Sequence, residues 1–416
     1  KKSFQQNFKI HTELNKMKMK ALTIAIAVAS AATSLSSFAG TPNFSGYGRY
    51  AFEASGDPIV QLKGEHGEIN GAGRLGNEDN WMEFMLTQGF ENGDAQFDMN
   101  VMLNTPGYSP TWGDTIGLAQ FYGGGKGIFA SQPDAYVWAG KRFYGREQGG
   151  LSDYFMLSAD GSGAGVDNLS LGGAMLDLGW TQGGGGTDPS NKNGSVNSLA
   201  FNLHSIKVGE QGALKFRGNY AFTTADLNDA IENNDAWQVF ASYRQGLSNG
   251  WFQVAARYET DAAALISANS AGQNWSNYED KKAASYGAFL DGAVNFGEMT
   301  AMEYNANYLL VDCKQTGCSF DEKTEYSVAV RPQHHWNEFM ATALEAGVHF
   351  TERTEVGGSK NKSDAWKITL SQNFQVGHFM WSRPVVRFYA VTGEVDTEGK
   401  DKVDVTKIGA MVEAWW

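Results

Sequence analysis

Five aromatic residues, Tyr47, Trp81, Trp251, Trp381 and Trp415, stand where an alternating strand should be wet. Successive strand side chains point to opposite faces, so parity assigns each residue a side. Tyr47 shares its parity with Ser45 and Arg49, and Trp81 shares its parity with Glu83 against Met82, Phe84 and Leu86. Trp251 lines up with Gln253, Arg257 and Glu259 against Phe252, Val254 and Tyr258. Trp381 goes with Arg383 and Arg387, and Trp415 goes with Glu413 and Lys407. Large rings placed repeatedly among charges are not core packing. They make a surface both greasy and wet, which suits sugars. A pyranose offers an apolar C–H face to a ring and a hydroxyl rim to Arg, Glu and Asp, whose charge-assisted hydrogen bonds are the stronger kind.

The elements that must hold these residues alternate with a period of two from residue 44 onward, and no helical stripe follows residue 39. Leu214, Phe216, Gly218, Tyr220 and Phe222 alternate with Lys215, Arg217, Asn219 and Ala221. Similar runs, broken by Gly, Asn, Asp and Ser, give roughly 16 to 18 strands, enough for a barrel with an aqueous channel. The chain stops in Val412-Glu-Ala-Trp-Trp416, with its last ring on the apolar face, as an interfacial anchor at a bilayer edge would be. This last strand is expected to close against the first, at 44–54, leaving no open edge.

Tight turns at 91–94, 246–250 and 295–298 alternate with longer segments at 55–78, 105–132, 144–166, 183–195, 260–283, 312–323, 351–363 and 393–403. The longer ones read as external loops. The 144–166 segment carries Arg146, Asp153, Tyr154 and Phe155 before Gly161-Ser-Gly-Ala-Gly165, which reads as flexible loop. Its charges and aromatics make it the candidate for folding inward and narrowing a pore. The expected fold is therefore an all-β, antiparallel transmembrane β-barrel with an inward-folded constriction loop.

Residues 17–39 read as a signal peptide: basic Met17-Lys-Met-Lys20, an apolar run from Ala21 to Ala32, and Ser37-Phe-Ala39 as a cleavage site. Residues 1–16 precede any Met and read as an artefact of the translated start, so residues 40–416 form one barrel domain. Without residues 1–39, which hold six Lys and one Glu, 27 basic and 45 acidic residues leave a net charge of −18. That balance argues against nucleic acid as a partner and predicts some cation preference in conduction. An exported, acidic, Gly-rich and Pro-poor chain of this kind fits the bacterial outer membrane, with its lipid as surroundings. Cys313 and Cys318 flank Lys-Gln-Thr-Gly and are expected to form a disulfide clamping a loop tip. No pattern asks for a metal or a cofactor. A barrel hydrolase would need a nucleophile, a His and a stabiliser on one surface, yet the seven His are scattered and the one Gly-x-Ser-x-Gly match, Gly246-Leu-Ser-Asn-Gly250, falls in a tight turn between strands. The chain is not expected to be an enzyme.

At Arg74-Leu-Gly-Asn-Glu78, Trp138-Ala-Gly-Lys-Arg-Phe-Tyr144, Trp381-Ser-Arg-Pro384 and Trp415-Trp416 the chain resembles the maltoporin family of outer-membrane sugar channels. The resemblance runs from Phe44 to Trp416 in one order. It implies an 18-stranded barrel, a homotrimer with one pore per subunit, and facilitated diffusion of maltose and maltodextrins. It also implies an aromatic slide of Tyr47, Trp81, Trp251, Trp381 and Trp415, joined by Trp112 from a neighbouring subunit. Arg49, Arg74, Glu83, Arg146 and Asp153 match the family's polar partners. Phe155 stands for a constriction Tyr, Gln148 stands for an acidic residue, and the usual first-loop cysteines are missing. The alternatives are a non-selective diffusion porin, which would use opposing charge ladders and no aromatic strip, or a porin for another oligosaccharide or glucoside.

Overall fold

The computed structural model describes residues 40–55, 61–77, 80–106, 116–183, 196–223, 235–264, 282–313, 318–377 and 379–416. The expected leader at 1–39 and Trp112 lie outside the described residues. The barrel begins with β1 (Asn43–Ser55), β2 (Trp81–Asn92), β3 (Ala95–Pro106), β4 (Gly117–Lys126) and β5 (Tyr136–Arg142). Two short strands, β6 (Glu147–Gly149) and β7 (Tyr154–Leu157), pair only with each other. The wall resumes with β8 (Gly161–Ser170), β9 (Met175–Gly183), β10 (Val196–Val208), β11 (Gly212–Thr223), β12 (Asp235–Leu247) and β13 (Gly250–Thr260). It continues through β14 (Ala284–Asn295), β15 (Thr300–Asp312), β16 (Phe320–His335), β17 (Met340–Glu355), β18 (Lys360–Gln375), β19 (Val385–Thr397) and β20 (Val403–Trp415).

All wall pairings are antiparallel, and β20 returns to β1 from Tyr47↔Trp415 to Ser55↔Lys407, closing an 18-stranded barrel. The reason for this solution is visible in β18. Buried Ser363, Lys367, Thr369, Ser371 and Asn373 alternate with exposed Trp366, Ile368, Leu370 and Phe374. Polar-in and apolar-out is the order required when hydrocarbon lies outside, because only a closed ladder satisfies every backbone group there. Trp416 packs on Phe44 and Phe84 at ring distances of 5.8 and 5.9 Å, so the terminal ring sits with the outer apolar face.

Four loop expectations change, the first being that segment 105–132 holds a whole wall strand, β4, whose Gly123-Gly-Gly125 run leaves little alternation to read. Gly161–Gly165 is strand rather than flexible loop, at the start of β8. Its glycines admit close neighbours: a Cβ at Gly165 would lie 2.8 Å from the Trp138 indole nitrogen. Segment 351–363 is mostly strand, since β17 and β18 run to 16 residues each. The first long loop does not stand outside the barrel. Its described part, 61–77, lies within, with Leu62, Ile69, Ala72 and Leu75 almost wholly buried. Cys313 and Cys318 are disulfide-bonded, as expected.

The first loop is tied to the wall by side chains from β16, β17, β18 and β20. Lys367 Nζ donates to the carbonyls of Gly73 at 2.7 Å and Leu75 at 2.6 Å, and to Glu345 at 2.9 Å. Glu345 also accepts from the Leu75 amide, and Glu325 accepts from the Glu68 amide. Outside the bilayer band, the Lys400 ammonium hydrogen-bonds Glu65 and holds that carboxyl below its usual range. Lys367→Met would strip two loop carbonyls of a donor and leave Glu345 short of a cation. The expected loss is about 3 kcal/mol of stability in urea unfolding, with larger open-channel current noise as the loop loosens.

Candidate functional site

The register of three adjacent strands assembles the centre of the site. On one rung Trp415 of β20 faces Tyr47 of β1, which faces Glu83 of β2, which faces Asn104 of β3. On the next rung Glu413, Arg49 and Trp81 stand side by side. Two rings, Trp415 and Tyr47, thus stand side by side, Trp81 lies diagonally from Tyr47 on the next rung, and Glu413, Arg49 and Glu83 border all three. Trp81 Nε1 donates to Glu83 at 2.7 Å, and the Tyr47 hydroxyl donates to Glu413 at 3.1 Å. Trp415 remains 41% exposed on the lumenal parity, so its ring is open to a solute rather than packed away.

These residues line one cavity of about 1100 Å³ inside the barrel. Of the residues singled out from the sequence, Tyr47, Trp81, Trp381, Trp415, Arg49, Arg74, Glu83, Arg146, Asp153 and Phe155 all lie on it. Trp381 reaches it by a different route than parity foresees. It sits in the turn before β19, because Pro384 has no N–H for the ladder and the strand starts only at Val385. There it abuts Gly150, where a Cβ would lie 3.0 Å from the indole; glycine makes that approach possible. Trp251 faces the lumen with Ala255, Arg257 and Glu259 but does not line the cavity. The guanidinium of Arg244 covers its ring at 3.8 Å.

The constriction loop enters between β5 and β8 as a hairpin of β6 and β7. Tyr154, Met156 and Leu157 pack with Ile69 of the first loop against Phe240, Ala255, Phe289 and Leu309 on the inner wall. Opposite this apolar seat, the loop presents charge. Asp153 has a left-handed backbone, φ 51°, a region where Asp is tolerated better than most residues. Its two carboxylate oxygens are held by Arg49 and Gln148, each at 2.6 Å. Arg146 grips Asp160 through two nitrogens at 2.8 and 2.5 Å and lies 4.9 Å from the Phe155 ring. Arg142, just before the loop, is bonded to Asp167 at 2.7 Å and lies within 5.8 Å of the rings of Tyr122, Tyr136, Trp138 and Tyr144.

Glu413 is the hub that sequence reasoning missed. Its carboxylate meets Arg74 at 3.2 Å, Arg383 at 2.7 Å and Arg387 at 2.7 Å, with Tyr47 adding the fourth bond. Arg383 in turn lies 4.5 Å from the Trp415 ring. The signal was present as Glu413 sharing parity with Trp415, but its three partners come from a loop, a turn and another strand. The wall residues Phe240, Phe289 and Leu309 were also missed; apolar side chains on an otherwise polar parity mark where a loop lands.

A polar lumen narrowed by two inward loops, inside a closed barrel with an apolar exterior, is the layout of a pore. A family model described as LamB porin matches residues 43–416. The chain belongs to the LamB porin family. Similar curated proteins include a maltoporin of Vibrio cholerae serotype O1, El Tor Inaba strain, 32% identical over 415 residues, covering 93% of this chain and 97% of that protein. A maltoporin of a classical Ogawa strain of Vibrio cholerae O1 is 31% identical, covering 93% of this chain and 96% of that protein. Among solved structures, OpdQ of Pseudomonas aeruginosa matches with a TM-score of 0.51 at 9% identity, over 91% of this chain and 99% of that one. At that identity the likeness shows the fold alone. As a LamB porin, this protein is an outer-membrane channel and not an enzyme.

Proposed function

We propose that this porin passes maltose and maltodextrins by facilitated diffusion along its aromatic strip. What supports this reading above all is the cluster of Trp415, Tyr47 and Trp81 bordered by Glu413, Arg49 and Glu83, set directly against the constriction loop. Sugar rings would slide over Trp81, Tyr47, Trp415 and Trp381, while Arg49, Arg74, Glu83, Arg146 and Asp153 exchange hydroxyl partners and Phe155 narrows the path. Trp251 would serve toward the exit. Trp112, contributed by a neighbouring subunit of a homotrimer, would serve at the entry. The short turns would face the periplasm, after export through a cleaved leader at residues 17–39.

Each ring contact contributes about 1 kcal/mol by analogy with aromatic pairs. Three subsites engaged at once, each adding charge-assisted hydrogen bonds to its ring contact, give, net of ordering costs, affinities of roughly millimolar to tens of micromolar. Weak and repeated sites suit a channel, since a tight single site would plug it. The test is planar-bilayer conductance with added sugar. Maltotriose and longer maltodextrins are expected to block the ion current in a saturable way, more strongly than isomeric non-glucose oligosaccharides. A current indifferent to every sugar would favour the non-selective porin instead.

A further inference from the structure

Ten of the eleven arginines are ion-paired with a carboxylate among the described residues. Arg244 is the exception. It lies on the lumenal parity of β12, shared with buried Gln238, Phe240 and Ser242, and is itself exposed. It sits near the end of its strand, beside the tight turn that leads into β13. Its guanidinium stacks on Trp251 at 3.8 Å. Stacking occupies the face of a guanidinium but leaves its N–H donors, which lie in the plane, directed outward. Across the ladder from it stands lumen-facing Gln253, whose amide can add a further donor. Asp291 follows on the same rung, one strand farther round, so a carboxylate bounds the far side.

We propose that Arg244, held flat on Trp251, is an oxyanion station at the short-turn end of the channel, taking the carboxylate or phosphate of an acidic sugar. A planar fork fixed in one plane is the geometry that carboxylate and phosphate match with two parallel hydrogen bonds. Elsewhere in the lumen the arginines are spent on acids of the wall and loops, and so are neutralised before any solute arrives. This station adds a second solute class to the channel; it shares Trp251 with the exit end of the aromatic strip and touches none of Trp81, Tyr47, Trp381 and Trp415.

The experiment adds glucose 6-phosphate, glucuronate, inorganic phosphate or glucose from the short-turn side of the purified channel in a planar bilayer. The two acidic sugars are expected to block current at roughly ten-fold lower concentration than glucose, in keeping with a charge-assisted pair. Arg244→Gln should abolish that difference, and Trp251→Leu, which leaves the charge but removes its platform, should reduce it several-fold. Block by maltotriose in Arg244→Gln reports separately on the aromatic strip, and an unchanged value locates the loss at the station. Equal responses of the wild type and Arg244→Gln to glucuronate and glucose 6-phosphate overturn the proposal. A response to inorganic phosphate as strong as that to glucose 6-phosphate overturns its sugar-borne part.

Discussion

Replacing Trp81 and Trp381 together by alanine is expected to weaken maltotriose block of the ion current by about 30-fold, at about 1 kcal/mol for each lost ring contact. The two rings belong to different elements, the first residue of β2 and the turn before β19, yet both line the one cavity. Each single variant should account for roughly a five-fold weakening on the same basis. Trp81→Phe separates stacking from hydrogen bonding, because it keeps an aromatic face and loses only the indole N–H bonded to Glu83. That variant is expected to stay within a few-fold of the wild type. Trp416→Ala is the control for a ring that serves the outer face, packed on Phe44 and Phe84. It should slow barrel assembly and leave the block constant alone. An unaltered maltotriose block in the Trp81/Trp381 double variant would remove the aromatic strip from the mechanism.

The barrel was legible in the sequence because alternation is local: each residue of β18 declares its side by comparison with its two neighbours. The same reasoning placed Tyr47, Trp81 and Trp415 on the lumenal face, where strand geometry does put them. It reached Trp381 for the wrong reason, since parity was carried through Pro384 into a turn that has none. The first loop was misplaced because nothing local distinguishes 61–77 from an external loop. Its carbonyls are claimed by Lys367, its amides by Glu325 and Glu345, all more than 250 residues away in sequence. Lys367 and Glu345, wholly buried on lumenal faces, are read from the chain only as wall charges. Long-range satisfaction of backbone groups leaves no periodic trace. The cluster on Glu413 was hidden likewise, as its arginines converge only once β20 has closed on β1.

Glu413→Ala is expected to be among the most destabilising single changes in the protein. The carboxylate is 2% exposed and lies within 3.2 Å of three guanidinium groups. Removing it leaves Arg74, Arg383 and Arg387 buried together with like charge, and breaking such a buried network costs about 3–5 kcal/mol. Urea unfolding of the detergent-solubilised barrel measures this directly. Glu413→Gln keeps hydrogen-bond acceptance but not charge, and should fall between the wild type and alanine. Function should suffer in the same variants. Arg74 bonds both Glu413 and the Tyr47 hydroxyl, and Arg383 flanks the Trp415 ring, so freeing these arginines disorders two rings of the strip. The exposed pair Lys402–Glu394 supplies the contrast, because surface pairs contribute little. Glu394→Gln is expected to leave both unfolding and sugar block unchanged. If Glu413→Ala unfolds like Glu394→Gln, the arginine cluster is not what holds the closing seam of the barrel, and the link between that seam and the aromatic rung fails with it.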